Sequence, residues 1–196
     1  LGLNLTAEDE IIVEGPTQGL FIKTDKEVKY IPVAKYSFGT EEGTSKVRSG
    51  FFRYELNPQS YLAFELDAES GDQSNITGIP ANPKSWSTFD PGDGPFGFYV
   101  QSANFNPDFS PQGETVYTKD SMNEKIERFA GDIHKAHIFP YKTKWSVKAN
   151  WYVICWEFST NNDNQDIITV VRGVKLIVPP KKPEKSESKL DDKPMI

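Results

Sequence analysis

The sequence predicts an all-β protein, an antiparallel β-sandwich of jelly-roll-like type with one short helix near residues 120–130. Three observations lead to this prediction. Residues 51–56 and 62–66 alternate apolar and polar side chains, the pattern of strands with one face in water. Residues 151–158 and 167–174 are apolar on both faces and rich in β-branched or aromatic residues, as expected of central strands. Clusters of Gly, Pro, Asn and Asp separate these runs and predict turns.

The two alternating strands each have a predicted apolar face. Phe52, Tyr54 and Leu56 share one face of the first strand. Leu62, Phe64 and Leu66 share one face of the second. Shorter apolar runs are further candidate strands, at residues 11–13, 20–23, 28–33, 96–101 and 137–139.

The single helix is predicted from its end signals and its spacing. Asp120 or Ser121 can cap the N terminus, and Gly131 would end the helix. Met122, Ile126 and Phe129 recur at helical spacing and share one face.

Composition excludes several classes of protein. The 196 residues carry 22 Lys and Arg against 28 Asp and Glu, so the net charge is −6. An acidic chain of this kind favours neither nucleic acid nor an anionic membrane as partner. No apolar run approaches the roughly 20 residues that span a bilayer, so membrane insertion is not expected. Cys155 is the single cysteine, which excludes an intrachain disulfide and a Cys-rich zinc site.

The chain divides into one folded domain and a tail. Residues 1–178 are predicted to form a single β-sandwich domain. Residues 179–196 carry five Lys, four acidic residues and four Pro, and they contain no aromatic residue. Such a segment cannot bury apolar surface and is predicted to be a disordered tail or linker.

The loop between the two central strands, residues 157–166, has seven carboxylate or amide side chains in ten residues. A tight loop would bring several of these oxygens together, and Ca²⁺ takes six to eight oxygen ligands. The alternative interpretation is a polar hairpin turn, in which Asn and Asp are common anyway. Asp90 and Asp93, in the turn sequence Asp-Pro-Gly-Asp-Gly, could contribute to a cation site if their loop lies beside the first.

His134 and His137 form a His-x-x-His pair just before a predicted strand. In a strand this spacing places the two rings on opposite faces, and zinc would need a third ligand that nothing nearby supplies. The pair is therefore interpreted as ordinary surface or hydrogen-bonded residues. Cys155, in the middle of an apolar strand, is expected to be a buried and inert thiol.

Aromatic residues near loops and strand ends suggest a ligand surface. Exposed Trp and Tyr rings can stack on sugar rings, although most such residues fill a core instead. Trp145, in the polar run 142–148, is the aromatic residue most expected to be exposed. The candidate ligand-binding residues are Trp86, Tyr99, Tyr117 and Trp145.

Four segments of the second half resemble a known kind of module. Residues 87–100 are similar to a segment of bacterial secreted proteins, and residues 116–123 resemble their element "VYTEDALN". Residues 134–141 resemble the strand "HxxRVYPL", and residues 156–174 resemble "FEEATNGDYQDYVFVLRNV". The chain thus resembles the C-terminal β-sandwich accessory modules of secreted bacterial proteins, related to the domain-of-unknown-function 4114 type.

This resemblance implies a structural Ca²⁺ site, secretion or display at the cell surface, and a place within a larger protein. The residues that match the acidic loop of these modules, with one outside contributor, are Glu157, Asn161, Asp163, Gln165, Asp166 and Asp90.

The leading hypothesis is a non-catalytic extracellular accessory module that is stabilised by calcium and binds a polysaccharide or other glycan. One alternative is a structural or adhesive domain that binds protein partners. A second is a glycoside hydrolase or lyase that uses paired carboxylates.

Overall fold

A computed structural model describes residues 3–35, 45–55, 58–68, 86–102, 115–124, 131–157 and 167–179. These ranges contain eleven strands, one short α-helix and one 3-10 turn at Ala7–Asp9. The helix, α1, spans Asp120–Asn123. The strands are β1 (Phe21–Lys23), β2 (Val28–Lys35), β3 (Ser45–Arg53), β4 (Ser60–Ala68), β5 (Ser87–Phe89), β6 (Phe96–Ser102), β7 (Thr115–Tyr117), β8 (Ala136–Lys142), β9 (Val147–Trp156), β10 (Ile167–Arg172) and β11 (Val174–Leu176).

The strands form two antiparallel sheets, which confirms the predicted all-β sandwich. One sheet has the order β11-β1-β6-β3-β4, with β7 also paired to β6. The other has the order β5-β2-β10-β9-β8. Within the described ranges, no helix is long and apolar enough to span a bilayer.

The core lies between the sheets and is rich in aromatic rings. Phe21 and Phe98 from the first sheet pack with Tyr30 and Trp156 from the second. The polar atoms of these rings are paired: Trp156 Nε1 donates to Thr169 Oγ1 at 3.0 Å. Burial of these rings drives the sheets together, since apolar surface removed from water contributes about 25 cal/mol per Å².

The predicted apolar face of β4 is wrong for Leu62. Leu62 is 57 % exposed, whereas Phe64 packs against the core. The cause is a β-bulge: Ser49 pairs with Phe64 but the next residue, Gly50, pairs with Leu62. The skipped residue, Ala63, shifts the side-chain alternation by one.

Two further predicted elements differ in the structure. The continuous strand 167–174 is broken at Gly173, where φ is +79° and the chain passes from β10 in one sheet to β11 in the other. Residues 11–13 form no strand, although the Ile11 N–H donates to the Ile138 carbonyl at 2.8 Å. Helix α1 lies at the predicted place, while residues 125–130 fall outside the described ranges.

Candidate functional site

The N-terminal segment is held along the edge strand β8. The Asn4 N–H donates to the Lys142 carbonyl at 2.9 Å, and the Ile11 N–H donates to that of Ile138. Between these points, the Lys142 ammonium lies 2.7 Å from the Asp9 carboxylate. Backbone and side-chain contacts on both sides therefore position Glu10 against β8.

Glu10 contacts two histidines at this edge. Its Oε1 accepts hydrogen bonds from His134 Nε2 at 3.0 Å and from His137 Nδ1 at 2.8 Å. The two imidazole rings are 4.6 Å apart, edge to face. The three ligand-type atoms all lie within 4.8 Å of one another, close enough to share a metal ion. We call these three side chains the Glu10–His134–His137 cluster.

The other side of the His134 ring is oriented by helix α1. His134 Nδ1 donates to Asp120 Oδ2 at 2.8 Å, and Gln18 Oε1 accepts from the Asp120 backbone N–H. The hydrogen bond to Asp120, joined by the charge of Glu10, outweighs partial burial and raises the pKa of His134 to about 9. Asp120 Oδ1 is buried and has no hydrogen-bond partner among the described residues.

A groove of about 360 Å³ lies beside the cluster. His134 and Asp120 form part of its wall, together with the carboxylates of Glu14 and Glu124 and the apolar side chain of Ile12. Ile12 is 64 % exposed. A ligand in the groove would therefore meet both acidic groups and a hydrophobic surface next to His134.

The sequence-based interpretation of the two histidines is half correct. They are hydrogen bonded, as expected, but they are not on opposite faces of a strand. Strand β8 begins at Ala136, so His134 lies in the irregular segment before it and its ring turns toward His137. The third group, Glu10, lies 124 residues before His134, and no local signal in the sequence connects them.

A second feature lies on the outer face of the β5-β2-β10-β9-β8 sheet. The Arg172 guanidinium lies 4.8 Å from the ring centre of Trp86 and 4.9 Å from that of Trp151. The Lys148 ammonium lies 4.6 Å from the Trp151 ring and 5.4 Å from the Tyr141 ring. We call these five side chains the aromatic–cation platform. Each cation is thus shared between two aromatic rings.

The platform borders a second groove, of about 320 Å³. Trp151 and Arg172 contribute to its wall, together with Lys26, Lys29 and the two carboxylates of Asp25 and Glu27. Within the described ranges, neither Arg172 nor Lys148 has a carboxylate at ion-pair distance, whereas Lys23, Lys135 and Lys142 all do.

The four predicted ligand-binding aromatics do not form one surface. Trp86 belongs to the platform. Tyr99 is only 7 % exposed and lies near Tyr117 on the other sheet, where their rings are 6.5 Å apart. Trp145 is 84 % exposed, which confirms its predicted exposure, and lies in the turn that follows β8.

Most of the predicted calcium ligands lie outside the described residues; these are Asn161, Asp163, Gln165 and Asp166. Glu157 is described and is fully buried, with its backbone N–H donating to the Lys135 carbonyl at 3.0 Å. The calcium site stays a prediction.

Asp90 does not meet Glu157. It lies next to Phe89, which pairs with the start of β2, whereas Glu157 follows the end of β9 at the opposite end of the same sheet. Phe89 pairs with Val28 at one end of β2, whereas Trp156 is level with Lys35 at the other end. These two positions are seven residues apart along the strand, which corresponds to about 20 Å. The Asp90 carboxylate instead pairs with Lys23 at 2.7 Å, which lowers the pKa of Asp90.

Cys155 is partly buried on the outer face of its sheet. Burial raises the pKa of its thiol to about 12, so the thiolate form is scarce at neutral pH. The expectation of an unreactive thiol agrees with this environment.

No protein-family model, curated protein or solved structure matches the chain.

Proposed function

We propose that the chain is a non-catalytic, extracellular accessory module that binds a polysaccharide through the aromatic–cation platform. We infer that this polysaccharide carries carboxylate or sulfate groups. Its main support is that Arg172 and Lys148 are each held over two aromatic rings without a carboxylate partner among the described residues.

Aromatic rings and cations have complementary roles in such a surface. The half-buried rings of Trp86 and Trp151 offer apolar edges beside these cations, against which a sugar ring can pack. Packing against these rings also limits the motion of the Arg172 side chain, so less conformational entropy is lost when it binds an anion. A planar guanidinium then matches a carboxylate or sulfate with two parallel hydrogen bonds.

The local charge favours the same class of ligand. The platform and its groove carry the cations Lys26, Lys29, Lys148 and Arg172 against the carboxylates of Asp25 and Glu27. This region is positive although the whole chain has a net charge of −6. An anionic polymer would therefore be steered to this end of the sheet rather than to the general surface.

Affinity electrophoresis of the full chain tests the proposal. Gels would contain polygalacturonate, chondroitin sulfate or a neutral glucan, each with and without EDTA. We expect retardation in the two anionic gels. Arg172→Gln should weaken binding by roughly tenfold, equivalent to about 1.4 kcal/mol, because one charge-assisted contact is lost.

The matched control is Lys175→Gln, which removes the same charge from an exposed position on β11. The lysine-rich residues 179–196 are present in both variants, so nonspecific attraction to anions cancels in the comparison. Retardation in no gel would overturn the glycan proposal and favour the adhesive alternative. Equal losses in the two variants would exclude the platform as the binding surface.

A further inference from the structure

We infer that the Glu10–His134–His137 cluster is a binding site for a divalent transition metal ion of the Zn²⁺ class. This site is separate from the aromatic–cation platform and does not depend on the proposed binding of glycan. It also differs from the calcium site implied by the resemblance, because its residues and its type of ligand are different.

The distances in the cluster suit a small ion. Zn²⁺ binds nitrogen and carboxylate oxygen at about 2.0–2.2 Å, so the ligands of a tetrahedral site lie about 3.4 Å apart. The hydrogen-bonded contacts of Glu10 Oε1 with His134 Nε2 and His137 Nδ1 are 3.0 and 2.8 Å. An ion that replaces the protons needs the ligand atoms of these two contacts to move apart by about half an ångström, while the two histidine nitrogens already lie within 4.8 Å of each other.

The environment of His134 matches that of a metal-binding histidine. Such a histidine almost always donates its second ring N–H to a carboxylate or carbonyl, which sets the direction of the ligating nitrogen. Asp120 accepts from Nδ1 of His134 in this way, at 2.8 Å. The Gln18 side chain in turn accepts from the Asp120 backbone, so the supporting carboxylate is itself held in place.

The backbone also holds the ligands in place before an ion binds. His137 lies in β8, opposite Cys155 of β9, and Ile11 is hydrogen bonded to Ile138 of the same strand. The backbone therefore keeps Glu10 beside His137, and the side chains need only small adjustments to accommodate an ion. A ligand set that is already ordered loses less entropy when an ion binds.

The donor set selects the type of ion. Two imidazole nitrogens and one carboxylate suit Zn²⁺, Cu²⁺, Ni²⁺ or Fe²⁺, whereas Ca²⁺ requires six to eight oxygens. Three protein ligands also leave a coordination position for water or for another molecule. His134 lines the 360 Å³ groove, so that position would be reachable from solvent.

Isothermal titration of the untagged, EDTA-treated full chain with ZnSO₄, and separately with CaCl₂, tests the inference. We expect saturable binding of one Zn²⁺ per chain that remains in excess Ca²⁺. Glu10→Gln, which keeps the shape of the side chain, and His137→Gln should each weaken Zn²⁺ binding by more than tenfold. Asp120→Asn should weaken it by about tenfold, since it changes only the partner of His134.

Glu14→Gln is the matched control, because Glu14 is exposed in the same groove but lies outside the cluster. It should bind Zn²⁺ like the wild-type chain. Circular dichroism verifies that each variant is folded. Co²⁺ is then added in place of Zn²⁺, and its visible absorption spectrum reports the coordination geometry of the bound ion. Absence of saturable Zn²⁺ binding to the wild-type chain would overturn the inference. Binding that Glu10→Gln and Glu14→Gln reduce equally would overturn it as well.

Discussion

The stability of the metal-free protein should fall between pH 6.5 and pH 9 because of His134. Hydrogen bonds to Asp120 and Glu10 raise the pKa of this imidazole from 6.5 to about 9 in the folded chain. The folded state therefore holds a proton that the unfolded state releases. The stabilisation is complete below pH 6.5 and is lost as the pH rises through about 9.

The size of this effect follows from the shift and from the exposure of the ring. A shift from 6.5 to about 9 corresponds to at most about 3.4 kcal/mol at 1.36 kcal/mol per unit. The His134 side chain is 34 % exposed, so solvent screens its interactions with the carboxylates. We expect a loss of about 1–2 kcal/mol across this pH range.

Urea unfolding of EDTA-treated protein, followed by tryptophan fluorescence, measures this loss at pH 6, 7.5 and 9.5. The control is His134→Gln, in which the contribution is absent while all other titrating groups remain. The difference in unfolding free energy between the two proteins should shrink as the pH rises. A proton NMR titration of the two histidines gives the His134 pKa directly. Parallel pH profiles for the two proteins, or a ring pKa near 6.5, would refute the reasoning.

Three further predictions concern other parts of the chain. Gly50→Ala should destabilise the protein to urea by about 2 kcal/mol or more, because the added Cβ atom would lie 1.9 Å from the Tyr61 carbonyl oxygen. The control is Gly94→Ala, where the Cβ atom would lie in open space, and its free energy of unfolding in urea should change by less than about 0.5 kcal/mol. If residues 157–166 bind Ca²⁺, added calcium should raise the melting temperature, and Asp163→Asn should remove that rise; a wild-type melting temperature unaffected by calcium or EDTA would exclude the site. Trp145→Ala should leave the melting temperature unchanged, since the ring is 84 % exposed, and should reduce retardation in the glycan gels if Trp145 extends the platform.

The strands illustrate how far local patterns reach. Residues 151–158 and 167–174 were expected to be central strands, and β9 and β10 do pair in the middle of their sheet. The face of Leu62 was predicted incorrectly, because the bulge opposite Gly50 depends on how β3 and β4 pair. A strand pattern in one segment contains no information about the register that its partner imposes.

The candidate sites show the same limit. The exposure of Trp145 follows from its polar neighbours, which belong to the same stretch of sequence. The place of Trp86 near a loop also predicts a ligand-binding role, but its cation partner, Arg172, lies far away in the chain. The spacing of the histidine pair is visible in the sequence, whereas the carboxylate that joins it, Glu10, lies 124 residues before His134.

The sequence by itself determined the all-β class and the approximate positions of most strands, because side-chain alternation and apolar runs are properties of neighbouring residues. Only the tertiary structure decided which distant groups meet. Glu10 reaches His134 because the N-terminal segment is hydrogen bonded along β8, and Arg172 reaches Trp151 because β10 pairs with β9. Contacts of this kind depend on backbone pairing between segments that are far apart in the chain, and local periodicity does not specify that pairing.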